Sequence, residues 1–342
     1  MSRTKLSKYK IATLGTHSAL QILKGAKDEG FSTIVICKKG HEEPYKLYNV
    51  ADEIILIDDY KDLIDLQDDL IKKNVILIPH ASYISYIGYE AVEKLKVNYF
   101  GNKGILKWES DRNEERKWLE KSGLKLPKLF HSPDDIDRPV IVKFHGASGG
   151  KGYFLAKSKW DFNKKFKPYK GNQDYVIQEY IIGVPMFIHY FYSPLTDELE
   201  IMGFDKRYES NVDSLGRISA RDQIALEKVD PSYVIVGNLP IVVRESYLPK
   251  MLKMGRDVVE QSKKLASPKG LFGPFCLEAV LTPEEEIYVF EISARIVAGT
   301  NPYINGSPYT WLKYDEPMST GKRIAREIKN AILNNQLDKV LG

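Results

Sequence analysis

A glycine-rich segment between two apolar runs is the first candidate for chemistry in this 342-residue chain. The run Val140 to Val142 ends on Lys143, and a second apolar run begins at Tyr153 after the glycines. A strand, loop and strand of this kind can fold over a polyphosphate, because glycine accepts positive φ and leaves backbone N–H groups open to close approach. The loop residues concerned are Gly146, Ser148, Gly149, Gly150, Lys151 and Gly152. An ordinary hairpin with a glycine-rich turn is the alternative.

Two carboxylates lie in the middle of late apolar runs, where an unpaired charge would be costly. Glu278 lies in FCLEAVL and Glu291 in VFEISAR, and Pro283 lies between the two runs. The pattern predicts a hairpin in which both carboxylates can face the same side. A pair of hard oxygen ligands suits Mg²⁺ that bridges nucleotide phosphates. Ion pairs, for instance with Arg295 or Lys206, are the alternative.

Polar residues also follow the first and fourth strands of a predicted N-terminal sheet. The first strand runs into Gly15-Thr16-His17-Ser18, and the fourth runs into Pro79-His80-Ala81-Ser82. Hydroxyls, imidazoles and a helix N-terminus could therefore converge on an anion at one edge of the sheet. Simple capping of the following helices is the alternative. His80 is expected to be structural.

The elements that would position these residues begin with alternating strands and helices. The predicted strands are Ile11 to Leu14, Thr33 to Cys37, Glu53 to Ile57 and Val75 to Pro79, with helices from Ser18, Tyr60 and Tyr86. Strands separated by helices imply right-handed βαβ units and a parallel sheet, with ligands outside the carboxyl ends of the strands.

The rest of the chain predicts an α+β region. A charged helix from Ser110 to Lys121 connects the two parts. Three strand candidates, Tyr175 to Ile182, Met186 to Tyr192 and Leu199 to Phe204, are joined by short links and predict an antiparallel sheet. A helix from roughly Leu248 to Leu265 and an amphipathic helix from about Gly321 to Asn334 follow.

Composition excludes several classes of protein. A net charge of +4 is small beside 50 basic and 46 acidic residues, so it argues neither for nucleic acid nor for an anionic membrane surface. Cys37 and Cys276 lie in apolar runs, which favours buried, reduced thiols and a cytosolic compartment. The N-terminal MSRTKLSKYK lacks a long apolar stretch, and no apolar run approaches the length of a membrane span. We expect a cytoplasmic protein that binds neither nucleic acid nor membrane.

Several of these features, taken in order, resemble the ATP-grasp enzymes, in which ATP lies between two α+β lobes. They are Lys143, the loop from Gly146 to Gly152, the run QEYI at Gln178 to Ile181, and the two late glutamates. The resemblance implies that Lys143 and the loop contact phosphates and that Glu278 and Glu291 hold Mg²⁺, with Mn²⁺ as an alternative. It also implies that Gln178, Glu179, Tyr180 and Ile181 hold adenine, largely through backbone groups. Glu209 is the expected ribose ligand.

The implied architecture is α/β followed by α+β. Residues 1–109 would form an N-terminal α/β domain with a Rossmann-like parallel sheet, and residues 110–342 the ATP-grasp region. Within that region, the first lobe would cover residues from about 125 to 205 and the second from about 206 to 342.

A closer resemblance covers nearly the whole length. The runs LGTHSALQILKGAKDEGF, PHASYISY, GNLPIVVRES and FEISARIVAGTNPY are similar to the archaeal formaminoimidazole-carboxamide ribonucleotide synthetases. This family formylates 5-aminoimidazole-4-carboxamide ribonucleotide (AICAR) to the formamido product (FAICAR) in purine biosynthesis, using formate and ATP. The resemblance implies that His17, Ser82 and Asn238 bind AICAR, with Ser18 beside them.

The implied reaction passes through formyl phosphate and releases ADP and phosphate. His17 would orient the amine of AICAR or accept its proton, and Arg295 would stabilise the acyl-phosphate oxygens. The partners would be small-molecule substrates, and we expect a homo-oligomer. Two alternatives stay open: a ligase that joins another small carboxylate to a nucleotide amine, and a regulator that binds ATP and AICAR without turnover.

Overall fold

The structure is a computed structural model that describes residues 5–144, 153–167, 174–209, 216–225, 235–266 and 269–342. Its first part contains a parallel sheet, as predicted. The strands are β1 (Lys10–Leu14), β2 (Ser32–Lys38), β3 (Glu53–Ile57), β4 (Val75–Leu77) and β5 (Asn98–Tyr99). Their order is β3-β2-β1-β4-β5, and every pair is parallel. The order reverses between β1 and β4, so the ends of these two strands flank the crevice where ligands bind in open α/β sheets.

Helices cover this sheet and lead out of it. They are α1 (Ala19–Asp28), α2 (Glu43–Leu47), α3 (Gln67–Lys72), α4 (Tyr89–Glu93), α5 (Lys103–Ser110) and α6 (Arg112–Lys121). The helices predicted from Tyr60 and Tyr86 have irregular first turns. The first begins as a 3₁₀ turn, Tyr60–Ile64, and a π turn, Tyr83–Ile87, precedes α4. Gly88, at φ 88°, separates that turn from α4 because this backbone conformation cannot continue a helix.

An antiparallel sheet of four strands follows. Its strands are β6 (Leu129–Phe130), β7 (Val140–Phe144), β8 (Tyr153–Ala156) and β9 (Tyr175–Glu179), in the order β6-β9-β7-β8. Helix α7 (Lys159–Phe166) and a 3₁₀ turn, Pro133–Asp135, accompany it. The predicted strands on either side of the glycine loop are confirmed as β7 and β8, which pair antiparallel. The loop itself lies outside the described residues.

A second antiparallel sheet has five strands. They are β10 (Val184–Ser193), β11 (Glu198–Glu209), β12 (Ile235–Ile241), β13 (Gly273–Leu281) and β14 (Ile287–Ser293), in the order β12-β11-β10-β13-β14. The prediction of one sheet from Tyr175 to Phe204 is wrong, since β9 pairs with β6 and β7. The chain changes sheets at Gly183, where a Cβ would lie 2.3 Å from the carbonyl oxygen of Leu281. The predicted boundary near residue 205 places β10 and most of β11 in the first lobe. In the structure both strands belong to the later, five-stranded sheet.

The remaining helices are α8 (Ala220–Ala225), α9 (Leu248–Leu265), α10 (Pro308–Tyr314) and α11 (Thr320–Leu333), with 3₁₀ segments at Glu245–Tyr247, Ala298–Tyr303 and Leu337–Lys339. Helix α9 begins and ends at the predicted residues. Helix α11 packs on α1 so closely that a Cβ on Gly321 would lie 2.2 Å from the carbonyl oxygen of Gln21. The main apolar core runs from Ile11 and Ile22 to Phe275 and Ile328, so it includes both ends of the chain. Among the described residues, no helix is long and apolar enough to cross a membrane.

Candidate active site

The two strand carboxylates lie opposite each other. Glu278 on β13 and Glu291 on β14 are register partners, and directly opposed residues share one face of a sheet. The predicted hairpin geometry is therefore confirmed. Glu278 is buried and Glu291 is exposed. The ion-pair alternative is half right: Arg207 Nη2 donates to Glu278 Oε1 at 2.6 Å, in place of the expected Arg295 or Lys206.

The electrostatics of this pair suit a divalent cation. Burial, and then the neighbouring Glu291, raises the pKa of Glu278 to about 7 even though Arg207 opposes the shift. A cation between the two carboxylates would remove that repulsion. The described residues contain no group of three or more His, Cys, Asp or Glu side chains that could hold a metal alone. Two carboxylates completed by phosphate oxygens and water are the set that Mg²⁺ uses in nucleotide sites, so these residues fit it.

A cleft between the two antiparallel sheets leads to this pair. Its cavity volume is about 210 Å³, and its walls include Glu115 of α6, Lys143 of β7, Gln178 of β9 and Glu291 of β14. The ammonium of Lys143 lies 5.7 Å from the ring centre of Phe290. Burial lowers the pKa of Lys143, while Glu291 acts in the opposite direction. The structure thus brings the predicted phosphate-binding lysine and one predicted metal ligand to the same cleft.

The run QEYI straddles the end of β9 at this cleft. Gln178 lines the cleft, whereas the Glu179 carboxylate accepts hydrogen bonds from Arg138 Nη1 at 3.0 Å and from the backbone N–H of Lys128 at 3.1 Å. The backbone N–H of Tyr180 donates to the carbonyl oxygen of Pro139 at 2.9 Å. These bonds fix the backbone that the resemblance assigns to adenine.

Two further predicted residues, Ile181 and Glu209, do not line the cleft. Ile181 follows β9 and is partly buried. Glu209 ends β11 and is not among the described residues that line the cleft. Gly146, Ser148, Gly149, Gly150, Lys151 and Gly152 lie outside the described residues.

A second cluster of predicted residues follows β1 and β4. The hydroxyl of Ser82 lies 2.9 Å from His17 Nδ1, and the hydroxyl of Thr16 lies 3.1 Å from the same nitrogen. The His17 ring stacks on His80 with the ring centres 5.9 Å apart. One side of His17 is open to solvent, but burial of its other side, and then Arg295, lowers its pKa. Nδ1 of His17 is therefore within hydrogen-bond distance of two hydroxyls, and burial disfavours the protonated ring.

The capping alternative is wrong for both serines. Neither Ser18 nor Ser82 makes a side-chain hydrogen bond to the helical turn that follows it. Ser18 is 1% exposed, and its hydroxyl has no hydrogen-bond partner among the described residues. A buried polar group without a partner is costly, so this hydroxyl is available to a ligand at the N-terminus of α1.

Arg295 and His80 lie behind His17. Arg295 Nη2 is 2.5 Å from Glu109 Oε1, while its buried Nε has no partner among the described residues. His80 is fully buried, and its Nε2 lies 2.9 Å from the carbonyl oxygen of Leu14. Burial lowers the pKa of His80 to about 3. Its burial and its contact with the backbone agree with the structural role expected for His80.

Asn238 lies on β12 of the later antiparallel sheet. Its Nδ2 donates to Asp205 Oδ2 at 2.7 Å. The segment Ala298–Tyr303 connects this region to the cluster around His17, since Asn301 Nδ2 donates to the carbonyl oxygen of His17 at 3.2 Å and Gly299 lies against Asp205. The structure therefore links residues 17 and 238 through one short segment.

Sequence reasoning missed Arg207, Asp205 and His189. Arg207 lies over the Phe187 ring at 3.8 Å and donates to Glu278. The sequence FDKR could have indicated these residues, because Asp205 and Arg207 are two positions apart and therefore share one face of a strand. Charged residues at alternate positions of an apolar strand need a partner or a ligand, which is the argument that identified Glu278.

Comparisons with known proteins agree on one family. The domain of unknown function DUF1297 matches residues 157–342, and the protein family of unknown function DUF1246 matches residues 11–130. A protein of Pyrococcus abyssi named 5-formaminoimidazole-4-carboxamide-1-(beta)-D-ribofuranosyl 5'-monophosphate synthetase is 55% identical over 339 residues, which cover 97% of this chain and 98% of that protein. The protein of the same name from Methanocaldococcus jannaschii is 49% identical over 343 residues, with 97% and 94% covered.

Solved structures give the fold. The crystal structure of an IMP biosynthesis protein PurP from Thermococcus kodakaraensis matches with a TM-score of 0.76 and 29% identity, covering 97% of this chain and 100% of that one. The ADP complex of N5-carboxyaminoimidazole ribonucleotide synthetase matches with a TM-score of 0.69 at 15% identity, covering 95% and 77%, and shows the shared fold. The predicted ATP-grasp architecture is thus confirmed. The chain belongs to the 5-formaminoimidazole-4-carboxamide ribonucleotide synthetase family.

Proposed function

We propose that this protein is an ATP-dependent ligase that formylates AICAR to FAICAR with formate, in the synthesis of IMP. One observation carries the proposal. This chain is 55% identical to a named synthetase over 97% of its length. It also has a cleft lined by Lys143 and Glu291 in its ATP-grasp region, and His17 lies within hydrogen-bond distance of Ser82 at the end of its parallel sheet.

The first step activates formate. A formate oxygen attacks the γ-phosphorus of ATP, the bond from that phosphorus to the β,γ-bridging oxygen breaks, and formyl phosphate and ADP result. Lys143 and the N–H groups of the loop from Gly146 to Gly152 would spread the negative charge of the transferred group. Glu278 and Glu291 would hold Mg²⁺ or Mn²⁺, which neutralises phosphate charge when bound. Gln178, Glu179, Tyr180 and Ile181 would hold adenine, and Glu209 would take the ribose.

The second step transfers the formyl group. The 5-amino nitrogen of AICAR attacks the formyl carbon, the bond from that carbon to the phosphate oxygen breaks, and phosphate leaves. The amine must lose a proton, and His17 is suited to accept it because burial and Arg295 keep the ring neutral. Ser82 would fix the ring through Nδ1, and Ser18 would donate to the AICAR phosphate. Arg295 would stabilise the acyl-phosphate oxygens with its unpartnered Nε.

The test supplies ATP, Mg²⁺ and AICAR with formate, omits each in turn, and follows phosphate release and the formylated nucleotide by mass spectrometry. Formate is then replaced by acetate, glycine or bicarbonate. Formylated product that needs all four components supports the proposal. Product from a different acid alone would assign the chain to another ligase, and AICAR binding with no product from any acid would indicate a regulator.

We further propose that the protein is a cytoplasmic homo-oligomer. Two buried, unbridged cysteines support a reducing compartment. Exposed apolar side chains on and directly after the edge strand β12 support self-association, since Val236 is 63% and Val242 69% exposed. Sedimentation equilibrium should give a mass at least twice the 39.1 kDa of one chain, and Val236→Asp should lower that mass. A wild-type monomer at micromolar concentration would contradict self-association.

A further inference from the structure

A row of five side chains, four of them polar, crosses one face of the five-stranded sheet. Asp205 of β11 is opposite Phe187 of β10, which is itself opposite Glu278 of β13. Arg207 of β11 is opposite Asn238 of β12. Since opposed residues share a face and alternate residues of one strand share a face, all five side chains lie on the side of the sheet that carries the candidate metal ligands.

Asp205 is the most deeply buried member of this row. It is 0% exposed, and both of its oxygens are engaged: Oδ2 accepts from Asn238 Nδ2 at 2.7 Å, and Oδ1 lies 2.6 Å from His189 Nε2. His189 is 2% exposed. Gly299 covers the pair, because a Cβ there would lie 2.2 Å from Asp205 Oδ1 and 2.7 Å from His189 Nε2. The carboxylate therefore has no room to turn.

This arrangement fixes the orientation of the Asn238 amide. Asn238 Nδ2 donates to Asp205 Oδ2, so the NH₂ of the amide faces Asp205. The amide oxygen of Asn238 is then directed away from Asp205, and no described residue donates to it. A buried carboxylate is costly, and apolar residues of similar volume would serve stability alone at least as well. The chain of His189, Asp205 and Asn238 thus has a use beyond packing.

We propose that Asp205, held by His189, is a positioning residue that presents the amide oxygen of Asn238 to an N–H donor of the acceptor nucleotide. The inference rests on the proposed function, in which that nucleotide is AICAR. AICAR carries its 5-amino and carboxamide NH₂ groups side by side on a flat ring, and either group can donate to a fixed carbonyl oxygen. Without Asp205 the Asn238 amide would rotate freely and present its NH₂ to these donors in part of the population.

The experiment measures AICAR and ATP dissociation constants by calorimetry for the wild type, Asp205→Asn, Asn238→Ala and the double variant. Asp205→Asn keeps the volume of the side chain, but the new amide can turn either its oxygen or its NH₂ toward Asn238 and no longer fixes the Asn238 amide. AICAR affinity should therefore fall about tenfold, the loss expected for one hydrogen bond. ATP affinity should stay within about twofold. Because Asp205 acts through Asn238, the double variant should bind AICAR no more weakly than Asn238→Ala. Wild-type AICAR affinity in Asp205→Asn, or a full second loss in the double variant, would overturn the proposal.

A second pair of variants tests the same idea through His189. The side-chain amide of His189→Gln can still donate to Asp205 and should retain AICAR affinity, whereas His189→Leu cannot and should lose about tenfold. Equal affinity in these two variants would overturn the proposal, including in the event that Asp205→Asn does not fold. A wild-type protein that binds no AICAR would instead contradict the proposed function, so the two failures are distinguishable.

Discussion

Glu278 and Glu291 are directly opposite each other on neighbouring antiparallel strands, but their surroundings differ. Glu278 is buried and bonded to Arg207, whereas Glu291 is exposed to the cleft that Lys143 lines. One carboxylate therefore has a fixed orientation, and the other can turn toward a cation. This asymmetry makes Glu291 the more informative residue to replace.

Glu291→Gln should raise the Mg²⁺ concentration for half-maximal activity by at least about tenfold, because one of two anionic ligands is lost. A magnesium titration of ADP formation checks this. Glu284→Gln, in the turn of the same hairpin, is the matched control and should behave as the wild type. An unchanged magnesium titration in Glu291→Gln would indicate that the pair serves only Arg207.

Lys143→Ala should weaken ATP binding by about tenfold or more, since a half-buried cation is removed from the cleft. AICAR binding should change little because His17 and Ser82 lie on the other domain. Calorimetry with each nucleotide separately gives both values. Lys164→Ala, at an exposed position of the same lobe, is the control. Wild-type ATP affinity in Lys143→Ala would mean that β7 and β8 form an ordinary hairpin.

His17→Ala should lower the rate of formyl transfer by about a hundredfold, the lower range for loss of a general base. ATP affinity should stay at the wild-type value. Rapid-quench measurement of the formylated nucleotide, with ATP affinity measured in parallel, separates the two effects. His131→Ala, which removes an exposed histidine of the ATP-grasp region, is the control. Normal formyl transfer in His17→Ala would contradict a role of His17 as a base and would leave it only the hydrogen bond to Ser82.

The elements and the site differ in how far the sequence predicted them. The strands β1, β2 and β7 and the helix α9 were predicted correctly because each is marked by its own apolar residues, in a continuous run or at helical spacing. The pairing of β9 was mispredicted, since a link of a few residues such as the one at Gly183 can join two sheets as easily as two strands of one sheet. The pattern of apolar and polar residues near Gly183 does not show whether β9 and β10 belong to one sheet or to two.

Side-chain partners were predicted least well, because they depend on strands that are distant in sequence. The sequence indicated that Glu278 needs a cation, but Arg207 is 71 residues away and meets it only across β10. In the same way, Arg295 was assigned to substrate oxygens, and nothing in the local sequence showed that Glu109 would be its partner.

Glu29 gives a prediction on stability that does not involve the site. It is 3% exposed at the end of α1, where Arg326 Nη2 lies 2.5 Å from its Oε1 and Lys329 Nζ lies 3.0 Å from its Oε2. Burial acts to raise the pKa of Glu29, but the bonds from Arg326 and Lys329 outweigh it and hold the pKa below its ordinary value of 4.5. The ion pairs therefore join α11 to the N-terminal domain with a carboxylate that stays charged in the folded protein.

Glu29→Gln should lower the free energy of unfolding at pH 7 by about 1.5 kcal/mol, the loss expected for a hydrogen bond to a charged group, because Arg326 and Lys329 are partly exposed. Because the folded pKa is depressed, the contribution of Glu29 is fully present above the unfolded value of 4.5 and is lost as the pH falls through the lower folded value. Urea unfolding of both proteins between pH 7 and pH 3 should thus show a difference that shrinks only on the acid side. Glu90→Gln, at an exposed position of α4, should show no such difference at any pH. A gap between wild type and Glu29→Gln that stays constant down to pH 3 would mean that packing, and not charge, holds α11 in place.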